Sequence, residues 1–320
     1  MRTVVIALDG VFDTGLTVLL DALGLANKFA LSQGSVAPFD LTVVGMRRRV
    51  RTAQGLTVPV QAAVPGEAPD WVIVPALATG TPEQLTASLE RKDVVRAKAQ
   101  IESWQAAGSR VAASCIGTFL VADIGLLDGR EATTTWWLAP FFRQRYPKVL
   151  LDETRMLVPT DIGVTAGAAM GHLDLALWLI RNVSPELASV VSRYLLADLR
   201  SMQAPYIIPH HLARADPLIE RFERWARKNL KAGFSLQMAS DALSTSPRTL
   251  QRRCEAVLGK SPLSYFQDLR VEKAQSLLHD GRMDVESIAA EVGYNDGATL
   301  RTLLRQRLGR GVRDLRAELL

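Results

Sequence analysis

The chain has 320 residues, of which 48% are hydrophobic and 22% charged, enough for about two domains with buried cores. No apolar run approaches the roughly 20 residues that span a bilayer, which argues against a membrane protein. Two cysteines are too few for a disulfide framework and favour a reducing, cytoplasmic location. The net charge is +5, and +4 of it lies from Asp216 onward, where 18 Lys and Arg face 14 Asp and Glu. A phosphate-binding module needs that sign of charge.

Short apolar runs alternate with helix-like segments over the first 200 residues. The runs predicted as strands are 3–8, 41–46, 71–74, 110–113, 131–136, 149–151 and 156–165. The segments predicted as helices are 17–30, 82–107, 116–122, 167–181 and 184–199. Short apolar strands that alternate with helices form parallel sheets covered on both faces, so this part is predicted to be an α/β domain. The first run also makes a signal peptide unexpected, because the segment is too short for one.

Two further segments are predicted to lie outside regular structure. Arg47–Arg51 holds four arginines around one valine and is predicted to be a solvated turn. Gln203–Pro209 has two prolines in seven residues and is predicted to be a linker. The predicted domains are therefore 1–184, a helix and linker at 185–215, and an all-α domain at 216–320.

The segment Ser246–Gly259 predicts a short amphipathic helix. Ser246 is a good N-cap, Pro247 suits the first helical position, and Gly259 suits the end. Helical spacing puts four apolar residues on one face: Leu250, Cys254, Val257 and Leu258. The other face carries side chains that can hydrogen-bond base edges and phosphates: Arg248, Thr249, Gln251, Arg252 and Glu255.

The same pattern returns fifty residues later without a gap. The matched pairs are Ala239 and Ala289, Ser246 and Asp296, Thr249 and Thr299, Leu250 and Leu300, Cys254 and Leu304, Leu258 and Leu308, and Gly259 and Gly309. Caps and core repeat while the outer faces differ, which predicts two helix-turn-helix units for two different half-sites. A long helix from Ser261-Pro262 to Gly281 joins them. If the two recognition helices lie about 34 Å apart, both can enter the major groove on one face of DNA.

Residues 217–316 resemble the DNA-binding domain of the AraC/XylS family of bacterial transcription regulators. The stretches that carry the resemblance are SLQMASDALSTSPRTLQRRCEAVLGKSP, YFQDLRVEKAQSLL and VESIAAEVGYNDGATLRTLLRQRLG. The resemblance implies that the first recognition helix presents Arg248, Thr249, Gln251 and Arg252, and the second Gly297, Ala298, Arg301, Thr302 and Arg305. The family usually has aromatic residues where this chain has Leu300, Leu304 and Leu308, yet the helical spacing is kept. Arg253 and Arg307 project elsewhere and are expected to be solvated or to contact phosphate.

Residues 3–183 resemble the DJ-1/PfpI branch of the class I glutamine-amidotransferase-like fold, a flavodoxin-like parallel sheet. The motifs are ASCIGTFLVADIGLLDGREATTTWW and TAGAAMGHLDLALWLI. Such a domain followed by an AraC-type module resembles the GlxA family of regulators. Cys115 lies where a strand turns into a helix, a nucleophile-elbow geometry. At the position of the family's catalytic histidine this chain has Thr135, which cannot act as a base near neutral pH. His172 is expected to be a packing or capping residue.

These observations favour a DNA-binding transcription regulator that is not an enzyme and has no catalytic residue, metal or cofactor. A small metabolite is expected at the carboxyl ends of the strands, where open α/β sheets bind ligands. Its predicted pocket consists of Asp13, Ala76, Leu77, Cys115, Ile116, Thr135 and Trp136. The expected partners are promoter DNA, this effector, a second copy bound through the first domain, and RNA polymerase as a further candidate. The alternatives are a DNA-targeted cysteine hydrolase or amidotransferase, and a redox-sensing regulator, both using Cys115.

Overall fold

The computed structural model describes residues 1–63, 67–198 and 200–317. The chain divides into two compact bodies. The N-terminal domain consists of Met1–Leu138 and Tyr146–Gln203, and the C-terminal domain consists of the chain from Ala204 onward together with Ala139–Arg145. The first is α/β and the second is all-α, which confirms the predicted fold class.

The N-terminal domain is built on a six-stranded sheet with two small two-stranded additions. The strands in chain order are β1 Arg2–Ile6, β2 Asp40–Val44, β3 Arg49–Arg51, β4 Thr57–Pro59, β5 Trp71–Val74, β6 Arg110–Ser114, β7 Glu131–Ala132, β8 Leu150–Leu151, β9 Leu157–Pro159 and β10 Gly163–Ala166. The main sheet has the order β2-β1-β5-β6-β10-β9, and only β9 is antiparallel to its neighbour. The five parallel strands thus follow the flavodoxin-like order, whose switch point lies between β1 and β5.

Helices cover both faces of this sheet. The helices of this domain are α1 Asp13–Ser32, α2 Pro82–Leu89, α3 Lys92–Ala106, α4 Gly117–Asp123, α6 Gly171–Val183 and α7 Pro185–Tyr194, whereas α5 Ala139–Arg145 belongs to the C-terminal domain. On one face, α1, α6 and α7 pack together over the sheet in one apolar core. On the other face, α3 and α4 pack on β6. The carboxyl ends of β1, β5 and β6 remain as the edge where a site can form.

Helix α1 is long and apolar enough to cross a membrane by length and composition alone. Its residues Leu16, Leu19 and Leu23 are buried in the core that α1 shares with α6 and the sheet. Burial against a sheet also requires an apolar helix face.

The described part of the C-terminal domain beyond residue 203 consists of helices. They are α8 Pro209–Ala213, α9 Pro217–Lys228, α10 Leu236–Ala242, α11 Pro247–Leu258, α12 Pro262–Asp280, α13 Val285–Glu291, α14 Gly297–Leu308 and α15 Val312–Ala317. The pairs α10–α11 and α13–α14 are the two helix-turn-helix units, and α12 runs between them. The second unit has its own core of residues from α12 to α15, including Leu278, Ile288, Leu300 and Leu304.

Several predicted elements differ from the observed ones. The predicted helix 82–107 is broken into α2 and α3, and the predicted strand 156–165 is the antiparallel pair β9 and β10, which meet at a turn. The predicted strand 131–136 ends at Ala132. The predicted arginine turn contains β3, which pairs with β4 and buries Val50. Where these strands begin and end is decided by hydrogen bonding to partners from elsewhere in the chain, and not by the local sequence alone.

Candidate nucleic-acid interface and effector site

Helix α11 is shaped by its two ends and by one apolar face. The Ser246 hydroxyl accepts a hydrogen bond from the Thr249 N–H at 3.1 Å, and Pro247 occupies the first turn. Gly259 ends the helix with φ of +67°, a left-handed conformation that glycine adopts without cost. Leu250, Cys254 and Leu258 are buried. Because that face is fixed in the core, the opposite face must point outward.

The outward face of α11 carries two free arginines. Arg248 and Arg252 are exposed and form no hydrogen bond or ion pair within the described ranges. Gln251 is half-buried, and its amide donates to Glu255 Oε1 at 2.5 Å. The Thr249 hydroxyl lies 2.8 Å from Ser246 Oγ. The two guanidinium groups therefore need to give up no internal partner on meeting a phosphate or a guanine edge, whereas Thr249 and Gln251 are engaged in local hydrogen bonds.

Helix α14 repeats this local structure with a different outer face. Asp296 accepts from the Thr299 N–H at 2.7 Å, and Gly309 ends the helix with φ of +68°. Arg301 is already paired with Glu286 of α13, with 3.1 Å between Nη2 and Oε1. Gly297, predicted on the exposed face, is buried beside this ion pair, since an added Cβ would lie 2.6 Å from Glu286 Oε1.

The remaining predicted positions on α14 are exposed. The Thr302 hydroxyl donates to the Ala298 carbonyl at 3.1 Å. Arg305 has no ion-pair partner among the residues that the structure describes. The second helix therefore offers one free cation, Arg305, and one neutralised cation, Arg301.

Two neighbouring arginines have structural contacts that the sequence did not reveal. Arg253 forms an ion pair with Asp216, a buried residue that also caps α9. Arg307 pairs with Asp268 of α12 at 3.0 Å and donates to Gln267 Oε1 at 2.8 Å. Arg253 is nevertheless exposed, whereas Arg307 is half-buried, so the expected solvation applies to Arg253 only in part and to Arg307 less.

In the N-terminal domain, Cys115 occupies a sharp turn between β6 and α4. Its φ is +55°, which is uncommon for a residue with a side chain. The Cys115 N–H donates to Ala166 O at 2.9 Å, and its carbonyl accepts from the Thr134 hydroxyl at 2.7 Å. Gly117 lies so close to the end of β5 that a Cβ there would lie 2.1 Å from Val74 O. These contacts confirm the predicted elbow.

The elbow does not activate the thiol. Burial raises the pKa of Cys115. The N–H groups of Ile116 and Ala169 and the hydroxyl of Thr135 act in the opposite direction and do not overcome the burial. The thiol is therefore neutral at physiological pH, and a nucleophile needs the thiolate.

We expect native-state thiol labelling to be slow at both cysteines. Burial also raises the pKa of Cys254 to about 12. With an aromatic disulfide reagent at neutral pH, Cys115 and Cys254 should react only on the timescale of local unfolding. The control is the labelling rate of both thiols in denaturant, where both are exposed. Rapid labelling of a single thiol in the native protein, lost in Cys115→Ser, would contradict this.

His172 is held by the backbone on both sides of its ring. Its Nδ1 donates to Ala169 O at 2.6 Å, and its Nε2 accepts from the Ala76 N–H at 3.0 Å. The imidazole also fills the space beside Gly15, where a Cβ would lie 2.8 Å from Nε2. This confirms the predicted packing role. A ring with both nitrogens engaged cannot serve as a base for Cys115.

His172 should make the protein less stable in mild acid. Burial lowers the pKa of His172 from 6.5 to about 4, so only the unfolded chain takes up this proton between those values. The free energy of unfolding should then fall by about 1.4 kcal/mol per pH unit as the pH drops from 6.5 towards 4. Denaturant unfolding of wild type, His172→Gln and the exposed control His279→Gln measures this. A slope that is unchanged in His172→Gln would refute the assignment.

The predicted pocket residues lie in the segments that follow β1, β5, β6 and β7. Ala76, Leu77, Cys115, Ile116 and Thr135 are buried, while Asp13 and Trp136 are half-buried. The Phe12 N–H next to Asp13 donates to Ala76 O at 2.8 Å. Trp136 packs edge to face on Trp137 with 5.6 Å between ring centroids. No group of three or more His, Cys, Asp or Glu side chains that could hold a metal ion occurs in the described part of the chain.

Three buried polar atoms in this region lack conventional partners. Among the described residues, Asp13 Oδ1 and Thr118 Oγ1 have no hydrogen-bond partner, and Thr135 Oγ1 has none apart from the neighbouring sulfur of Cys115. Buried polar atoms are usually satisfied, so such atoms mark a place where a water or ligand is expected.

Residues 239–318, which contain both recognition helices, match the family described as a helix-turn-helix domain. The C-terminal domain is an AraC-type helix-turn-helix domain. The match covers about a quarter of the chain, so it identifies this domain only.

Proteins named as HTH-type transcriptional regulators are among the relatives. The chain is 26% identical over 211 residues to HTH-type transcriptional regulator GbdR of Pseudomonas aeruginosa strain UCBPP-PA14, covering 65% of this chain and 56% of that protein. It is 25% identical over 200 residues to HTH-type transcriptional regulator GlxA of Rhizobium meliloti strain 1021, covering 60% of each. The chain thus aligns with little more than half the length of these relatives.

A solved structure agrees with the fold of the N-terminal domain. A crystal structure of a candidate transcriptional regulator from Vibrio parahaemolyticus superposes with a TM-score of 0.51 and 20% identity, covering 61% of this chain and 98% of that one. At this identity the likeness concerns the fold alone.

Sequence reasoning missed one residue that holds the N-terminal site together. Gln203, predicted as the start of a linker before the AraC-type domain, is buried. Its amide nitrogen donates to Thr133 Oγ1 at 3.0 Å and to Thr134 O at 2.9 Å, and its Oε1 accepts from the Ala168 N–H at 3.0 Å. The two segments that flank Cys115 are thereby tied together. A glutamine beside prolines carries no signal of such a role in a single sequence.

Proposed function

We propose that the chain is a sequence-specific DNA-binding transcriptional regulator. The observation that carries the proposal is the pair Arg248 and Arg252, exposed and unpaired on a capped helix inside an AraC-type domain. Free arginines on such a face suit guanine edges and phosphates of double-stranded promoter DNA. The relatives named as transcriptional regulators support the same function.

In this proposal the two recognition helices contribute differently to DNA binding. Arg248 and Arg252, with Gln251 and Thr249, discriminate bases in one half-site. On α14, Arg301 is paired with Glu286 and Ala298 offers no hydrogen-bonding side chain, so this helix supplies affinity and register through Arg301, Thr302 and Arg305. Gly297 is buried and contributes by letting α13 approach rather than by contacting DNA.

The direct experiment is an electrophoretic mobility shift with the DNA upstream of the chain's own gene. Full-length protein should retard this duplex and not a scrambled duplex of equal composition, at moderate salt. Equal retardation of both would leave only non-specific charge binding and would refute sequence-specific regulation.

The N-terminal domain is proposed to bind the effector at the Cys115 edge. Asp13 Oδ1 and Thr118 Oγ1, which lack partners among the described residues, and Thr135 Oγ1, which meets only the Cys115 sulfur, support a small polar molecule with both donor and acceptor groups. Residues 1–184 would then form the sensor, 185–215 the connection and 216–320 the DNA-binding part.

We expect one member of a panel of nitrogen and carbon metabolites to raise the melting temperature. A ligand at about 100 times its Kd adds roughly 2.7 kcal/mol to the stability of the domain that binds it. Thr135→Val should abolish the shift, whereas Thr57→Val, an exposed threonine on β4, should leave it unchanged. A ligand shift that survives in Thr135→Val would place the effector elsewhere.

A cysteine hydrolase or amidotransferase is less well supported. The Cys115 pKa is raised and both ring nitrogens of His172 are occupied by the backbone. The proposal is therefore a regulator without enzymatic activity, with Cys115 as part of the pocket wall. A redox-sensing role would require peroxide to change DNA affinity in wild type and not in Cys115→Ser.

Three further parts of the proposal rest on the family resemblance. A second copy of the chain is expected to pair through the N-terminal domain, RNA polymerase is a candidate partner at the promoter, and the location is the bacterial cytoplasm. Sedimentation of the full-length protein with and without DNA tests the first of these.

A further inference from the structure

Arg270 lies near the middle of α12 and is buried, although its guanidinium meets no carboxylate in the described residues. Its Nη2 and Nε donate to Leu230 O at 2.8 and 3.2 Å. Leu230 belongs to the loop that leads from α9 into the first helix-turn-helix. Burying a cation costs free energy unless several groups stabilise it. Because no described carboxylate pairs with Arg270, contacts other than an ion pair must stabilise its guanidinium.

Two aromatic rings lie within cation–π distance of the same guanidinium. Arg270 Cζ lies 4.9 Å from the ring centroid of Phe266 on α12 and 4.6 Å from that of Tyr294. Tyr294 is in the turn between α13 and α14, inside the second helix-turn-helix. One side chain therefore bridges the connecting helix, the loop before the first unit and the turn of the second.

The backbone around this contact is closely packed. Gly293, with φ of +84°, precedes Tyr294, and an added Cβ would lie 2.3 Å from Arg270 Nη2 and 2.4 Å from Leu230 O. An ion pair between Lys231 and Glu291 at 3.3 Å joins the same loop to the end of α13. The turn of the second unit is thus pressed directly onto the loop of the first.

We propose that Arg270 is a positioning residue that fixes the second helix-turn-helix relative to the first and thereby sets the half-site spacing that the protein accepts. The inference rests on the proposed DNA-binding function. Arginine suits this role because its planar group can contact aromatic rings while donating a forked pair of hydrogen bonds, which lysine cannot do. No DNA contact is required of Arg270 itself.

The spacing preference gives a readout that a purely stabilising residue would not alter. Full-length wild type first selects a two-part site from a random duplex library. Binding of that site, of each half-site, and of the site with about 5 base pairs inserted, half a helical turn, is then measured for wild type and variants. The variants are Arg270→Gln, Arg270→Lys and Tyr294→Leu, and the control is Lys273→Gln, an exposed residue of the same helix.

Wild type and Lys273→Gln should lose about 100-fold in affinity on insertion, because one half can no longer be reached simultaneously. Arg270→Gln should lose less than about 10-fold on insertion and bind the unmodified site correspondingly more weakly, with half-site affinities within about 2-fold of wild type. Arg270→Lys should resemble Arg270→Gln, and Tyr294→Leu should lie between.

Folding of the variants is followed separately by cooperative unfolding, and spin labels at positions 255 and 306 report the distance between α11 and α14. A broadened distance distribution in Arg270→Gln supports the inference. An unchanged distribution, or parallel loss of full-site and half-site affinity with the wild-type insertion penalty, overturns it. If wild type selects no two-part site, the two-helix reader itself fails and this inference fails with it.

Discussion

Replacing Arg252 by alanine is expected to weaken binding to the specific site by about 1–3 kcal/mol, roughly 5- to 150-fold in Kd. Arg252 is exposed and unpaired on the outward face of α11, so no side chain in the described part of the domain competes with DNA for its guanidinium. If it contacts a guanine, the loss also relaxes preference at one base position. Quantitative mobility shifts on single-base variants of the site measure both effects.

The matched control is Arg224→Ala. Arg224 is an exposed arginine on α9, off both recognition helices, and its replacement changes the net charge equally. It should alter affinity for specific and non-specific DNA by the same small factor. Arg301→Ala should cost less than Arg252→Ala, because Arg301 gives up its ion pair with Glu286 on binding. Unchanged affinity in both Arg252→Ala and Arg301→Ala would show that neither helix contacts DNA as assigned.

Gly117→Ala is expected to give a large loss of stability in the N-terminal domain. The new Cβ would lie 2.1 Å from Val74 O and 2.9 Å from Pro75 O, both backbone atoms of the strand β5 and its end. The elbow or the strand must move, at a cost of about 3 kcal/mol or more. For a domain of this size the melting temperature should fall by roughly 6–12 °C.

Gly24→Ala serves as the opposite case. Gly24 lies within α1, and an added Cβ meets no atom within 4 Å. Because alanine has the better helix propensity, this variant should gain about 0.5–1 kcal/mol. Differential scanning calorimetry of the full-length chain distinguishes the two. A Gly117→Ala transition at the wild-type temperature would mean that the elbow is not packed against β5 as described.

Periodicity and caps were sufficient to predict the local structure of the AraC-type domain. Ser246 and Asp296 begin α11 and α14, and Gly259 and Gly309 end them, because capping is decided by neighbours in the chain. The parallel sheet followed from apolar runs separated by helices. The elbow at Cys115 followed from the position of one residue between a strand and a helix.

Contacts between distant segments could not be predicted in the same way. The ion pair between Arg253 and Asp216 joins residues 37 apart, and Gln203 reaches Thr133 across 70 residues. Val50 lies on β3, which pairs with β4. That pairing is not visible in the sequence, so the arginines around Val50 indicated a solvated turn. Such contacts depend on the topology of the fold. A single sequence gives the residue at each position but does not indicate which positions come into contact.

The ion pair between Arg301 and Glu286 has a consequence for how binding responds to salt. Each cation that neutralises a phosphate releases condensed counterions, and the steepness of the salt dependence counts those cations. Arg301 brings its own carboxylate, so α14 displaces fewer counterions than its two cations, Arg301 and Arg305, suggest. The slope contributed by the second half-site should then be shallower than that of the first. At high ionic strength, DNA binding by α14 should therefore weaken less than DNA binding by α11.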